Sequence, residues 1–252
     1  MEVAVVLAGG PPDELVAGRP ELPNKAFLPI AGSALVARTI APLRATPRIR
    51  RIIAVAPAGT NDSPALAGAD EVRGDGASIT QSLHSGIEGL DPDALVLITT
   101  ADLPVLSQAA LDEFIDIAEA SDADVVYACV ERRVHLARFP QFPHTWARLR
   151  DGIYCGGGCV GLRPRAFARL ERFLDRLGAA RKNPVQLASI FGWDVVARYA
   201  LGTLPIRDLE KRASRLLGAK AAAAICSHPE IAINVDRPSD VVLAERLFSS
   251  SA

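Results

Sequence analysis

The sequence predicts an α/β fold, with a mixed, mainly parallel sheet flanked by helices. Three observations carry that expectation. Val3 to Leu7 is an unbroken apolar run, the pattern of a strand buried on both faces. Strand-like segments recur at residues 51–55, 94–99 and 124–130, with helical patterns between the early ones. Such alternation implies parallel strands covered by helices. A last apolar segment, residues 231–234, reads as a strand and runs through Asp236-Arg237-Pro238 into a helical pattern. No repeat or low-complexity linker divides the chain, so one domain spanning 1–252 is expected.

Composition narrows the classes. Hydrophobic residues make up 49% of the 252, enough for a sizeable core. A net charge of −1 argues against a general nucleic-acid binder. No apolar run reaches membrane-spanning length, and Glu2 stands where a basic leader would begin, so no membrane partner and a cytoplasmic location are expected. Cys129, Cys155, Cys159 and Cys226 show no Cys-x-x-Cys spacing. Buried free thiols are therefore expected rather than a zinc site.

The first strand ends in Leu7-Ala8-Gly9-Gly10, leaving no bulky side chain to keep a ligand from the backbone. A polar loop with Arg19 and Lys25 follows. Glycine amides and a lysine near the carboxyl end of a first strand suit a nucleoside triphosphate. The amides donate to phosphate or base, and the ammonium neutralises charge as phosphorus is attacked. Ser33 reads as the cap of a helix with Val36, Ile40 and Leu43 on one face, which Pro42 should kink or end early. Residues 59–70 read as a loop with at most a short helix.

Gly74-Asp75-Gly76-Ala77-Ser78 then feeds a helix containing Ser82 and Gly86. Free amides at a helix start can hold a ligand, and a capped helix without one is the plain alternative. The 94–99 strand runs into Asp102-Leu103-Pro104. A carboxylate there either holds magnesium beside phosphates or bonds the amides of its own turn. Ser107 should cap the next helix, which buries Leu111, Phe114, Ile115 and Ala118.

Residues 131–152 carry five arginines with His135, His144 and Trp146. They read as a strand-rich flap or extended loop, either gripping a phosphate or forming a solvated excursion or subunit contact. Gly156-Gly157-Gly158 signals close approach of a ligand, or a turn or bulge. Residues 165–218 read as helical, with Phe167, Leu170, Phe173 and Leu177 on one helix, Asp208 as a cap and Gly218 as a stop. Arg181 and Lys182 within this segment either grip an anion or end a helix in water. The segment shapes an acceptor pocket or the face of a homodimer. Asp236 before Arg237-Pro238 reads as a helix cap.

Taken together, Leu7-Ala8-Gly9-Gly10, Asn24-Lys25, Leu28-Pro29-Ile30-Ala31-Gly32, Asp102-Leu103-Pro104 and Asn234-Val235-Asp236-Arg237-Pro238-Ser239-Asp240 resemble the MobA-like NTP transferases. In that family a Rossmann-like GT-A nucleotidyltransferase fold carries L-A-(A/G)-G, an arginine, a lysine, D-x-P and (D/N)-x-D-x-P-x-D-L in this order. Residues 11–18 intervene here before Arg19, and no Arg-Met-Gly follows it. The resemblance implies that Leu7, Ala8, Gly9, Gly10, Arg19 and Lys25 bind the NTP. It implies that Lys25 and Asp102 are catalytic, and that magnesium sits on Asp102 with Asp236 or Asn234. Gly76 to Gly86 resembles the base-contacting segment of the related methylerythritol-phosphate cytidylyltransferases, with Ser82 at the family serine and Ile79 where the family has arginine. Gly156 and Gly157, with Arg181 and Lys182, fall on the acceptor side. Gly158 stands where several members carry asparagine.

The implied reaction transfers an NMP group from an NTP, CTP or GTP favoured, to a phosphorylated small-molecule acceptor, releasing pyrophosphate. The alternative is a non-catalytic nucleotide-binding scaffold of the same fold. A nicotinamide dehydrogenase would need G-x-G-x-x-G running straight into a helix, and Gly9-Gly10-Pro11-Pro12 does not supply it.

Overall fold

A computed structural model of the chain describes residues 1–180 and 189–249. The first strand, β1 (Val3–Leu7), buries Ala4, Val5 and Val6 completely, as its continuous apolar run requires. Next comes a short hairpin, β2 (Pro29–Ile30) and β3 (Ser33–Ala34), then helix α1 (Leu35–Ala45) and strand β4 (Arg51–Ala56). The chain continues through β5 (Glu71–Gly74), α2 (Ile79–Ile87), β6 (Val96–Thr100), α3 (Gln108–Ser121) and β7 (Val125–Glu131). Helix α4 (Arg132–Arg138) leads to β8 (Ala147–Leu149), β9 (Gly152–Leu162) and α5 (Phe167–Ala180). Helices α6 (Trp193–Ala200) and α7 (Ile206–Leu217), strand β10 (Ala221–Cys226) and helix α8 (Pro238–Ser249) complete the described elements.

The strands order as β10-β7-β9-β6-β1-β4-β5, with β8 paired to β9. All neighbours are parallel except β9, which runs antiparallel between β6 and β7 and to β8. The sheet is therefore mixed and mainly parallel, as the sequence predicts. One face packs Val36, Ile40 and Leu43 of α1 and Leu111, Phe114 and Ile115 of α3 against Ala4, Val6, Ile52 and Leu97. The other packs Leu83 and Ile87 of α2 with Phe167 and Leu217 against Val5, Ile53 and Ile98.

Several local expectations are corrected. Residues 231–234 are not a strand: a 3-10 turn, Pro229–Ala232, is followed by extended chain. Ile231, Ile233 and Val235 are buried, so their apolar pattern reports burial and not ladder pairing. The neighbouring strand is β10, whose alanine run carries little strand signal. Pro42 lies inside α1, which continues to Ala45, and Ala34, not Ser33, sits at its cap. Pro42 lacks an amide but lies only a turn from the helix end, where Thr46 Oγ1 donates to the Pro42 carbonyl (2.9 Å). Residues 131–152 open with a helix rather than a flap of strands. Pro205, not Asp208, precedes α7, and Gly218 ends it in the left-handed region at φ +61°.

Ser107 caps α3, its side chain accepting from the Ala110 amide. Among the described residues no helix is long and apolar enough to cross a membrane.

Candidate active site

Strand β1 pairs with β4 on one side and β6 on the other, so successive connections leave β1 in opposite directions. In such sheets the crevice beyond the carboxyl ends at the switch is where ligands bind. Leu7 is in register with Thr100. The glycine loop after β1 and the Asp102 turn after β6 therefore emerge side by side.

Asn24 shapes the glycine loop. It is almost fully buried, and its Nδ2 donates to the carbonyls of Ala8 (2.9 Å) and Gly10 (3.0 Å). Its Oδ1 accepts from the Ala26 amide (2.9 Å), starting the 3-10 turn Lys25–Phe27. One amide side chain thus fixes both the glycine loop and the place of Lys25. Asp75 closes the loop from the other side, its Oδ2 accepting from the Gly10 amide (2.8 Å). A Cβ on Gly9 would come within 2.3 Å of Asp75 Cβ, and Gly10 has φ +109°. Only glycine fits both positions without strain.

Lys25 is the hub. Its Nζ donates to Asp102 Oδ2 (2.6 Å), Asp236 Oδ1 (2.6 Å) and the Val235 carbonyl (3.1 Å). Burial would lower the lysine pKa, but the charge and hydrogen bond of Asp102, then those of Asp236, outweigh it and hold the pKa above its usual value. Asn234 Nδ2 donates to Asp236 Oδ2, which orients that carboxylate. The 3-10 turn and extended chain at 229–236 place these groups, with the Val235 amide donating to the Asp102 carbonyl (3.1 Å). Asp236 is not the helix cap. Asp240 reaches back instead, accepting from the amides of Asp236 (3.1 Å) and Arg237 (2.9 Å), the reciprocal half of a capping box.

The donors also fit magnesium. Asp102 Oδ1 is buried with no hydrogen-bond partner among the described residues, while its other oxygen holds Lys25. A buried, unpartnered carboxylate oxygen is a costly feature that a cation would satisfy. No group of three His, Cys, Asp or Glu that could hold a metal occurs among the described residues. Two carboxylates, with remaining positions open to phosphate and water, suit magnesium rather than a closed zinc cage. Burial pushes the thiols of Cys129, Cys159 and Cys226 up to about 12 and that of Cys155 to about 11. These sulfurs stay protonated near neutrality.

The other expected residues lie as follows. Leu7 ends β1, and Ala8 is buried behind the glycine loop. Gly76 and Ser82 face each other at the start of α2: the Gly76 amide donates to Ser82 Oγ (3.0 Å), so this buried serine shapes the turn. Arg19 is exposed on the loop, its backbone amide bonded to the Val16 carbonyl (2.9 Å). Gly156 and Gly157 lie in the middle of β9, beside a register shift opposite Tyr127 and Cys129, and not in a turn. Arg181 and Lys182 lie outside the described residues.

Sequence reasoning assigned no role to Asn24, Asp75 or the Val235 carbonyl. Asn24 caps its own turn, but its bonds to the Ala8 and Gly10 carbonyls, like that of Asp75 to the Gly10 amide, reach well back along the chain. No local pattern announces those longer bonds.

A family profile, the MobA-like NTP transferase domain, matches residues 4–196. The chain belongs to the MobA-like NTP transferase family. A hypothetical transferase from Thermus thermophilus is 30% identical to this MobA-like chain, with a TM-score of 0.84 over 95% of this chain and 99% of that one. The 2-C-methyl-D-erythritol 4-phosphate cytidylyltransferase of Thermus thermophilus shares the fold at 20% identity and TM-score 0.56, covering 98% of each chain. The 4-diphosphocytidyl-2C-methyl-D-erythritol synthase of Anaerococcus prevotii does so at 14% identity and TM-score 0.59, covering 99% of this chain and 98% of that one. No curated protein shows significant sequence similarity to the MobA-like chain.

Proposed function

We propose that this MobA-like chain is a magnesium-dependent nucleotidyltransferase. It moves an NMP group from an NTP, CTP or GTP favoured, to a phosphorylated small molecule. An acceptor phosphate oxygen attacks the α-phosphorus, the bond to the β-phosphate oxygen breaks, and pyrophosphate leaves. The observation that carries this reading is the Lys25 ammonium held between Asp102 and Asp236 at the switch point, with Asp102 Oδ1 unpartnered among the described residues.

Asp102 and Asp236 would hold the metal, with Asn234 orienting Asp236. Bound magnesium supplies positive charge against the phosphate oxygens. Lys25 lies within reach of both carboxylates, and its raised pKa keeps it cationic at neutral pH. It steadies charge on the triphosphate as the bond breaks. The side-chain-free Gly9 and Gly10 loop lets the donor approach the backbone closely, with Asn24 holding the loop and Asp75 holding the Gly10 amide. Little covalent chemistry is asked of the protein, because positioning and electrostatics suffice for phosphoryl-type transfer.

The test is thermal shift with ATP, GTP, CTP and UTP, with and without magnesium, followed by pyrophosphate release from the stabilising nucleotide. A magnesium-dependent rise for one nucleotide is expected. Lys25→Ala and Asp102→Asn should each keep the native circular dichroism and lower kcat by about 10²–10³, as loss of a preorganised electrostatic contact does. Near-full activity in either variant overturns the site. Nucleotide binding with no pyrophosphate release for any acceptor overturns the enzyme in favour of a scaffold.

A further inference from the structure

The half of the sheet beyond β6 holds a second feature. A chamber of about 750 Å³ lies between the face of β6, β9, β7 and β10 and helices α5 and α7. That volume falls within the range of small-molecule sites. Tyr127, Gly156 and Gly158 form part of its floor, and Phe173 of α5 and Leu209 of α7 part of its roof. These two roof side chains are only half-buried although they point between two layers, so their apolar surface faces the chamber.

The glycines of β9 leave room for side chains packed against the sheet there. A Cβ on Gly156 would meet the Tyr127 hydroxyl at 2.0 Å, and one on Gly158 would meet Leu103 and Thr100 at 2.8 Å.

One end of the chamber opens on the candidate active site. Leu7, Thr80 and Thr100 line it there, next to the glycine loop, the start of α2 and the Asp102 turn. Thr100 Oγ1 is buried at that end without a partner among the described residues. Farther in, the hydroxyl of Tyr154 and one oxygen of Glu210 are already engaged. The Tyr154 hydroxyl donates to the Asp151 carbonyl (3.2 Å), and Glu210 Oε1 accepts from the Ala223 amide (2.8 Å). A polyol or a heterocycle rich in nitrogen would leave its own donors and acceptors stranded against these walls, at a cost for each. A hydrocarbon would remove the larger, apolar part of the wall from water.

We propose that the acceptor is an amphiphile, a phosphate monoester on an aliphatic body. Its phosphate lies at the Thr100 and Asp102 end, and its hydrocarbon fills the chamber under α5 and α7. The inference rests on the nucleotidyltransferase reading and deepens it by naming the acceptor class.

The test uses the whole chain with farnesyl phosphate and a series of short alkyl phosphates below their critical micelle concentrations. Glycerol 3-phosphate and farnesol serve as comparisons. Trp146 lines the chamber, so its fluorescence reports occupancy without any nucleotide. Affinity is expected to rise about fourfold per added methylene, the factor for burying one such group. Farnesyl phosphate should bind at least tenfold more tightly than either comparison and should release pyrophosphate with magnesium and the preferred NTP. Ala213→Phe, which fills the chamber from α7, should lose at least tenfold in farnesyl phosphate affinity while magnesium–NTP binding stays unchanged. Leu209→Asp makes the same test with polarity in place of bulk.

Equal affinity for glycerol 3-phosphate, or indifference to both variants, overturns the proposal. Binding of farnesyl phosphate without pyrophosphate release overturns its role as acceptor. A concentration-dependent dimer whose formation Ala213→Phe abolishes assigns the chamber to a second copy and also overturns it. Failure of the nucleotide reading shows separately, as absence of any NTP-dependent thermal shift.

Discussion

Two carboxylates compete for one ammonium at Lys25, and the contest is the chemistry of the site. The ammonium satisfies one oxygen of each and leaves Asp102 Oδ1 unpartnered among the described residues. Because the lysine pKa is raised in the folded chain, its contribution to stability is complete below the ordinary value of 10.5 and is lost as pH climbs through the folded value. A second titrating residue gives an acid limit. His135 is fully buried, with neither ring nitrogen hydrogen-bonded among the described residues, and it packs edge-on to His144 (4.5 Å) and Trp146 (5.4 Å). Burial, then the neighbouring His144, pushes its pKa down to about 4. The unfolded chain therefore binds the proton first. Stability is expected to fall by on the order of 3 kcal/mol as pH drops from about 6.5 to about 4. His135→Phe should flatten that part of a urea-unfolding pH profile, and an unchanged slope would remove His135 as its source.

At the scale of elements, β9 joins two functions. It closes the sheet between β6 and β7, and its glycines let other parts of the chain approach. A Cβ on Gly157 would lie 2.9 Å from the Ile231 carbonyl and 3.1 Å from Ala128 Cβ. Backbone cannot move aside as a flexible side-chain end can. Gly157→Ala is expected to cost about 1–3 kcal/mol through overpacking. Gly74→Ala, where a Cβ meets nothing within 4 Å, is the control and should be neutral or slightly stabilising. Equal midpoints in denaturant for the two variants would show that β9 tolerates the added methyl group.

For the whole molecule, the last segment ties the site to the core. Ile233 and Val235 pack with Leu28, Ile30, Leu35, Phe139 and Phe142, so the chain carrying Lys25 and the chain carrying Asp236 share one cluster. Burying Ile231, Ile233 and Val235 is worth about 1.5–3 kcal/mol each. That sum is comparable with the total stability of an ordinary domain, about 5–15 kcal/mol. A chain ending at residue 227 is therefore expected to lose cooperative unfolding in calorimetry and to lose nucleotide binding with it. A sharp transition near the full-length Tm would show that the segment only decorates the site.

Local sequence is enough for the α/β class, the buried first strand, the glycine loop, and the lysine and carboxylates that meet beyond it. Each is written in a short stretch: an apolar run, glycines at a strand end, Asp-x-Pro after another strand. The remainder depends on contacts between distant segments. Residues 231–234 look like a strand because burial on a core leaves the same apolar pattern as pairing in a sheet. Strand β10 went unread because four alanines carry almost no preference for a strand, and its place is fixed by pairing with β7. The Gly156 to Gly158 run announces close approach but not what approaches: Tyr127, the Ile231 carbonyl and Leu103 come from distant parts of the chain. Asn24, Asp75 and the Val235 carbonyl acquire their roles the same way, through hydrogen bonds that exist only once the loop after β1, the Lys25 turn, the residues after β5 and the final segment come together.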